Sequence, residues 1–294
     1  MKRYFTAFMM AWGNFLSIPC PKKIWDNNLK KEMLSLLPFI GLIAGLLEYA
    51  LCLAMRRFLL PISVSAFFLT LVAFGISGFM HADGFMDCCD AILSRRDLAE
   101  RQRILKDSKV GAFAVISMIL LALGTFAAFF AICERELATI AISYTVSQKV
   151  TTLINPIALI SIPVISRATA GACVLGLKPL QTSQYAVDTE AVKAEDKNAS
   201  AKNLKRLAIA VLIILAVVLV VTVVLAARIS KEAISIFVFR LIVSTVSTLL
   251  ATRLFAELAR KNLGGMSGDI AGFAICMGEL VGYIVLAFVM SMLI

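Results

Sequence analysis

The sequence predicts an all-α polytopic integral membrane protein with about seven transmembrane helices and an amphipathic N-terminal helix. Of its 294 residues, 60% are hydrophobic, where a soluble domain sits nearer about 45–50%. The mean hydropathy is +0.90. Apolar runs long enough to cross a bilayer recur at 33–55, 62–81, 112–132, 137–163, 207–227, 233–252 and 270–294. We read 1–294 as a single membrane-embedded domain. A net charge of +10 would suggest nucleic acid in a soluble chain. Here it reflects basic loops on the inner side of a membrane, so the partner implied is the lipid bilayer and not nucleic acid.

Segment 1–32 comes first. Tyr4, Phe5, Phe8, Met9, Trp12, Phe15 and Leu16 follow i, i+3/i+4 spacing, which predicts an amphipathic helix on the membrane surface or over the bundle mouth. Lys2-Arg3 before an apolar run imitates a signal peptide. The run is short, however, and Pro19 stands where a cleavage site needs a small residue.

Orientation follows from the basic residues. With the N-terminus in the cytoplasm, 22 of the 29 Lys and Arg fall on inside segments and 5 in outside turns. Lys149 and Arg240 lie within spans. This bias predicts a multi-pass protein of the cell membrane. It also places the stretch 81–113, the polar segment 178–206 and the glycine-rich loop 264–269 on one cytoplasmic face. The segment 178–206 is mixed in charge and reads as a solvated loop or short surface helix. The seven cysteines lack paired metal spacing, which argues against a zinc or disulfide framework.

The chemistry concentrates in His81-Ala-Asp83-Gly84-Phe-Met-Asp87-Cys-Cys-Asp90. On a helix, Asp83, Asp87 and Asp90 stand at i, i+4 and i+7, within roughly 60° of one another. No Lys or Arg lies three or four residues from Asp83 or Asp87, so like charges gather there unless a cation joins them. Oxygen-only ligands favour Mg²⁺ or Mn²⁺, which keep waters and take further oxygens from substrate phosphates. His81, the only histidine, adjoins the acids and suits phosphate binding or proton relay. Gly84 either relieves crowding or lets a pyrophosphate approach the backbone.

Two further motifs fit a phosphate site. Arg95, Arg96, Arg101 and Arg103 read as either an ordinary basic loop or a phosphate clamp. Lys106-Asp107-Ser108-Lys109 then precedes Gly111, with Asp107 a fourth carboxylate or the N-cap of the next span. Gly264-Gly265-Met266-Ser267-Gly268-Asp269 opens the last span, and a glycine-rich turn at a helix N-terminus can cradle phosphate. Asp269 would touch metal or cap the helix. Glu48, Lys149, Arg240 and Glu279 lie inside spans and should face the bundle interior, their partners unassigned. Arg167 is a further candidate for the site mouth.

Taken together, His81-x-Asp83-Gly84-x-x-Asp87-x-x-Asp90, Lys106-Asp107-Ser108-x-x-Gly111-Ala112-Phe113 and Gly264-Gly265-x-Ser267-Gly268-Asp269 resemble the cobalamin synthase family, the adenosylcobinamide-GDP ribazoletransferases. The resemblance covers nearly the whole chain. It implies a Mg²⁺-dependent enzyme, with one or two ions, that joins α-ribazole or its 5′-phosphate to adenosylcobinamide-GDP and releases GMP. Under it Asp83, Asp87 and Asp90 hold metal. One Asp or His81 accepts the nucleophile's proton. Gly84, Lys106, Asp107, Ser108, Lys109, Gly264, Gly265, Ser267, Gly268 and Asp269 then form the substrate-binding set. Association with further copies of itself is compatible with this reading.

The chain departs from the family in places. An Arg that usually precedes Ile-Pro is Ser17 here, the usual Thr of the glycine loop is Ser267, and the basic residues before that loop are displaced to Arg260-Lys261. Two rival readings share some features. A CDP-alcohol phosphatidyltransferase also places acids on membrane helices, but its repeated Gly and Asp after the first Asp-Gly are missing. A divalent-cation transporter would use the Asp cluster for selectivity, but the cluster sits at a helix end and no internal repeat is evident.

Overall fold

A computed structural model describes residues 2–145, 156–180, 190–229 and 231–292. Its elements, in order, are α1 (Lys2–Phe15), α2 (Lys30–Ser35), α3 (Leu37–Arg57), α4 (Ile62–Gly75), α5 (Met80–Leu93), α6 (Leu98–Ile104), α7 (Ala112–Thr145), α8 (Ser161–Gly176), α9 (Glu190–Ala227), α10 (Lys231–Leu263) and α11 (Gly268–Met292). Among the described residues there is no strand, only one isolated bridge between Pro179 and Met266. Six helices are long and apolar enough to cross a membrane, or seven spans if the bent pair α4–α5 counts as one. The all-α polytopic expectation holds.

Three boundaries differ from the expected spans. The run 62–81 is not one helix, because α4 ends at Gly75 and α5 leaves at 80° to it. Gly78 and Phe79 between them both take left-handed backbone, φ 60° and 63°. A side chain there costs about 1–2 kcal/mol, so hydrophobicity alone gives no sign of the turn. The run 137–163 is split: α7 continues to Thr145, and the next apolar helix spans Pro156–Gly176. Residues 146–155, with Lys149, lie outside the described residues. The polar stretch 190–206 is the first part of the long helix α9 rather than a separate surface element; 181–189 lie outside the description.

Helix α8 is the hub. Its apolar window is 83% buried, against 28% for α7 and for α9. Helix α3 approaches it closely through Gly41 and Gly45, where a Cβ on Gly45 would stand 2.7 Å from the Ile160 carbonyl oxygen. Small residues at this spacing let two membrane helices touch backbone to backbone.

Helix α1 is amphipathic as expected, with Ala7, Met9, Met10 and Ala11 buried and Tyr4 and Phe5 exposed. It packs on α2 and α3, held by an ion pair between Arg3 and the buried Glu32. The chain after it is pinned to the α4–α5 break. Ser17 donates from its amide to the Ile76 carbonyl (2.8 Å) and from Oγ to the Gly75 carbonyl (2.8 Å). A small hydroxyl thus satisfies the end of α4.

Candidate functional site at the mouth of the bundle

The Asp motif is helical over Met80–Leu93, so the three acids take the spacing the sequence predicted. Helix α5 lies hard against the start of α11. A Cβ on Gly84 would stand 2.8 Å from the Asp269 Cα, so the space Gly84 leaves open is filled by α11 backbone. This contact carries Asp269 to the Asp cluster. Asp87 feels the negative charge of Asp83, Asp269 and Asp90, and Asp269 that of Asp83. Asp83 is exposed, while Asp87 and Asp269 are half-buried. Among the described residues no Lys or Arg pairs with Asp83, Asp87 or Asp269; Asp269 receives only the Ser267 hydroxyl, at 3.3 Å.

Asp90 has a different environment. Its Oδ2 accepts from the Gly111 amide (2.6 Å) and its Oδ1 from the Ala114 amide (2.8 Å). It therefore satisfies the first amides of α7, where the helix dipole favours a negative charge. The sequence offered Asp107 for that capping role, and here the structure corrects it. Asp107 Oδ1 instead accepts from the Lys109 amide (3.1 Å) in a local turn. Lys106, Asp107, Ser108 and Lys109 are all exposed in the turn between α6 and α7.

Of the four arginines, Arg101 donates to the Asn262 side chain (2.9 Å), and Arg103 pairs with Glu100. With Gln102 Nε2 donating to the Leu263 carbonyl at 2.8 Å, helix α6 is clamped to the end of α10.

The glycine-rich loop is built largely by its own neighbours. Gly264, at φ 87°, terminates α10 and donates to the Arg260 carbonyl (2.9 Å). Met266 donates to the Lys178 carbonyl and Leu180 to that of Met266, each at 2.9 Å. A Cβ on Gly265 would meet the Leu180 backbone at 2.5 Å. Residues 178–180, given no role from sequence, are thus a strap that fixes this loop. Ser267 Oγ accepts from the Ile270 amide (3.3 Å) at the start of α11, and Gly268 faces open space.

His81 lines a cavity of about 180 Å³ that Asp83, Asp269, Gly268, Asn14 and Phe15 also line. Phe15 stacks on the imidazole at 6.5 Å and 29°. His81 is buried, and its Nε2 has no hydrogen-bond partner among the described residues. Sequence reasoning missed Asn14 and Phe15, because they complete the site only through the fold of α1 over the mouth.

The acids inside the bundle are compensated. Glu279 on α11 pairs with Arg167 on α8 and accepts from the Ser166 hydroxyl (2.6 Å). Glu48 on α3 accepts from the Tyr283 hydroxyl at 2.9 and 3.0 Å. Arg167, at 1% exposure, is an interior residue and not part of the site mouth, which corrects the expectation from sequence.

Among the described residues, no three His, Cys, Asp or Glu side chains stand ready to enclose a metal ion. The donor chemistry still fits a hard divalent cation. It is all carboxylate oxygen, lacks a basic partner, and suits an ion that keeps waters and takes substrate oxygens.

Comparison with known proteins adds to this geometry. A family model described as cobalamin-5-phosphate synthase matches residues 7–287. An adenosylcobinamide-GDP ribazoletransferase of Clostridium perfringens (strain 13 / Type A) is 32% identical over 98% of this chain and 100% of its own length. One from Clostridium botulinum (strain Alaska E43 / Type E3) is 32% identical over 96% of this chain and 97% of its own. One from Halalkalibacterium halodurans is 39% identical over 41% of this chain and 46% of its own. No solved structure matches.

Proposed function

The chain belongs to the cobalamin-5-phosphate synthase family and is a transferase of cobalamin biosynthesis; from this premise we propose that it joins α-ribazole or its 5′-phosphate to adenosylcobinamide-GDP at the acid cluster. The observation that carries the reading is the meeting of Asp83 and Asp87 from α5 with Asp269 from α11, at one end of the bundle, without a basic partner. Mg²⁺ arriving with the substrate pyrophosphate would supply the missing positive charge.

The acceptor's oxygen attacks the phosphorus of the cobinamide phosphate, and the bond from that phosphorus to the GMP oxygen breaks. GMP leaves with the bond's electron pair. With either acceptor the attacking oxygen is a ribose hydroxyl, and one carboxylate of the cluster takes its proton. Asp83, Asp87 and Asp269 would hold the cation together with oxygens of the substrate, and Asp90 fixes α7 beside them through the Gly111 and Ala114 amides. When bound, the divalent cation neutralises charge on the pyrophosphate oxygens. Lys106 and Lys109, exposed in the turn before α7, serve the outer phosphates. The basic loops argue that this end faces the cytoplasm.

The test is GMP release by the purified protein from adenosylcobinamide-GDP with either acceptor, with and without Mg²⁺. Metal-dependent GMP together with a cobamide product supports the reading. No release with either acceptor rejects it.

A further inference from the structure

The polar start of α9, to which phosphoryl transfer gives no role, runs straight into a membrane-crossing stretch. From 207 to 227 the helix is apolar apart from Thr222, a length of about 31 Å that matches a hydrocarbon core of ~30 Å. Ile209, Leu212, Ile213 and Val220 are exposed along one side of it. At about 100° per residue, Lys202, Lys205 and Arg206 fall on that same side. Lys202 and Lys205 are exposed and Arg206 is half-buried. The exposed face of α9 therefore changes from basic to wholly apolar between 206 and 209. Such a step marks the passage of a helix from headgroups into hydrocarbon, with long basic side chains reaching back to the interface.

Two other helices bring cations to the same level. The Arg206 guanidinium stands over the Tyr4 ring of α1, 5.1 Å from its centre, which sets Lys2 and Arg3 close by. Lys31 of α2 donates to the Ser200 hydroxyl of α9 at 3.0 Å. Tyr4 and Phe5 are exposed, as aromatic side chains are at a membrane interface. Arg3 is paired with Glu32, which leaves the lysines and Arg206 to set the charge. Glu195 and Asp196 also lie on α9, roughly 14–15 Å beyond Lys205 and away from the apolar stretch.

We infer that Lys202, Lys205 and Arg206 of α9, with Lys2 of α1 and Lys31 of α2, form a surface that binds the headgroup phosphates of acidic phospholipids. Charge and depth together select this occupant. A basic cluster immediately flanking a membrane helix attracts anionic lipid, and here the cluster continues without interruption into the lipid-facing stripe. The surface is separate from the acid cluster. Asn14 and Phe15 of α1 line the cavity beside Asp83 and Asp269, and they lie about 15 Å along the helix axis from Tyr4. Lipid binding here does not depend on the reaction catalysed at the mouth.

The test uses the full-length protein in phosphatidylcholine vesicles at low salt, with trace spin-labelled phosphatidylglycerol or spin-labelled phosphatidylcholine. Electron paramagnetic resonance reads the fraction of each probe held at the protein. Phosphatidylglycerol should be preferred about twofold, averaged over the whole lipid shell, and molar salt should abolish the preference. A Lys202→Gln, Lys205→Gln variant should lose most of it. A Lys2→Gln, Lys31→Gln variant, which approaches the surface from the other two helices, should lose part of it and serves if the first does not fold. Arg95→Gln with Arg96→Gln removes the same charge from the turn before α6 and should leave the preference intact.

Equal retention of the two probes by the wild type at low salt would overturn the inference. So would a preference that survives both lysine variants, or one that falls as far in the Arg95, Arg96 variant, since it would then report total charge and not this surface. None of these outcomes bears on GMP release.

Discussion

Glu279 and Asp87 are both acids on helices that are otherwise apolar, and their surroundings are opposite. Glu279 sits between α8 and α11 with the guanidinium of Arg167 and the Ser166 hydroxyl directed at it. Asp87 sits at the bundle mouth, where its charged neighbours are Asp83, Asp269 and Asp90. Removing an ion pair from water is costly, and pairing offsets part of that cost, so the interior site is complete as folded. The mouth concentrates negative charge that no Lys or Arg among the described residues neutralises. Such an arrangement is unfavourable for folding alone, and under the proposed reading a cation and a phosphate ligand would complete it. Between them lies Asp90, whose two oxygens are occupied by the amides of α7.

This contrast can be tested through its separate effects on activity and stability. The largest effect should come from Asp87→Asn, which should lower GMP release about 10²- to 10⁴-fold. Its thermal midpoint should stay at or above that of the wild type, because a like charge is removed. Glu279→Ala should do the reverse and destabilise the fold by about 3–5 kcal/mol by leaving Arg167 buried and unpaired. The double change Arg167→Met with Glu279→Leu should restore most of that loss, measured by thermal unfolding in detergent.

Gly84→Ala belongs to both classes. Its Cβ would stand 2.8 Å from the Asp269 Cα, so overpacking of about 1–3 kcal/mol is expected. Separation of Asp269 from Asp83 and Asp87 should lower GMP release as well. Asp90→Ala should cost about 0.5–2 kcal/mol, as for loss of a helix cap. An activity loss as large as that of Asp87→Asn would move Asp90 into the metal-binding set.

The sequence made the helical fold and the acid motif legible for different reasons. Apolar runs report membrane helices directly, since a bilayer demands length and hydrophobicity and little else. The acids stood out because charge is rare in such helices and their spacing matches one helical face.

What escaped depends on contacts between distant segments. The break at Gly78 and Phe79 is a backbone choice, supported by Ser17 from far upstream, and the apolar run crosses it without change. That Asp90 and not Asp107 serves α7 depends on how α5 returns toward Gly111, which spacing cannot encode. Arg167 near the end of an apolar run resembles a residue at the membrane edge, and only the packing of α8 at the hub makes it an interior partner of Glu279. The strap at 178–180 carries no motif because it acts through its backbone.

The most direct test of the contrast is a Mn²⁺ titration followed by electron paramagnetic resonance, on the purified protein with adenosylcobinamide-GDP and no acceptor. The account predicts saturable binding by the wild type and by the Arg167→Met, Glu279→Leu double variant. It also predicts affinity at least about tenfold weaker in Asp87→Asn, where one carboxylate ligand is lost. Superimposable curves for wild type and Asp87→Asn would contradict it, and the acids at the mouth would then be no more a cation site than the pair inside.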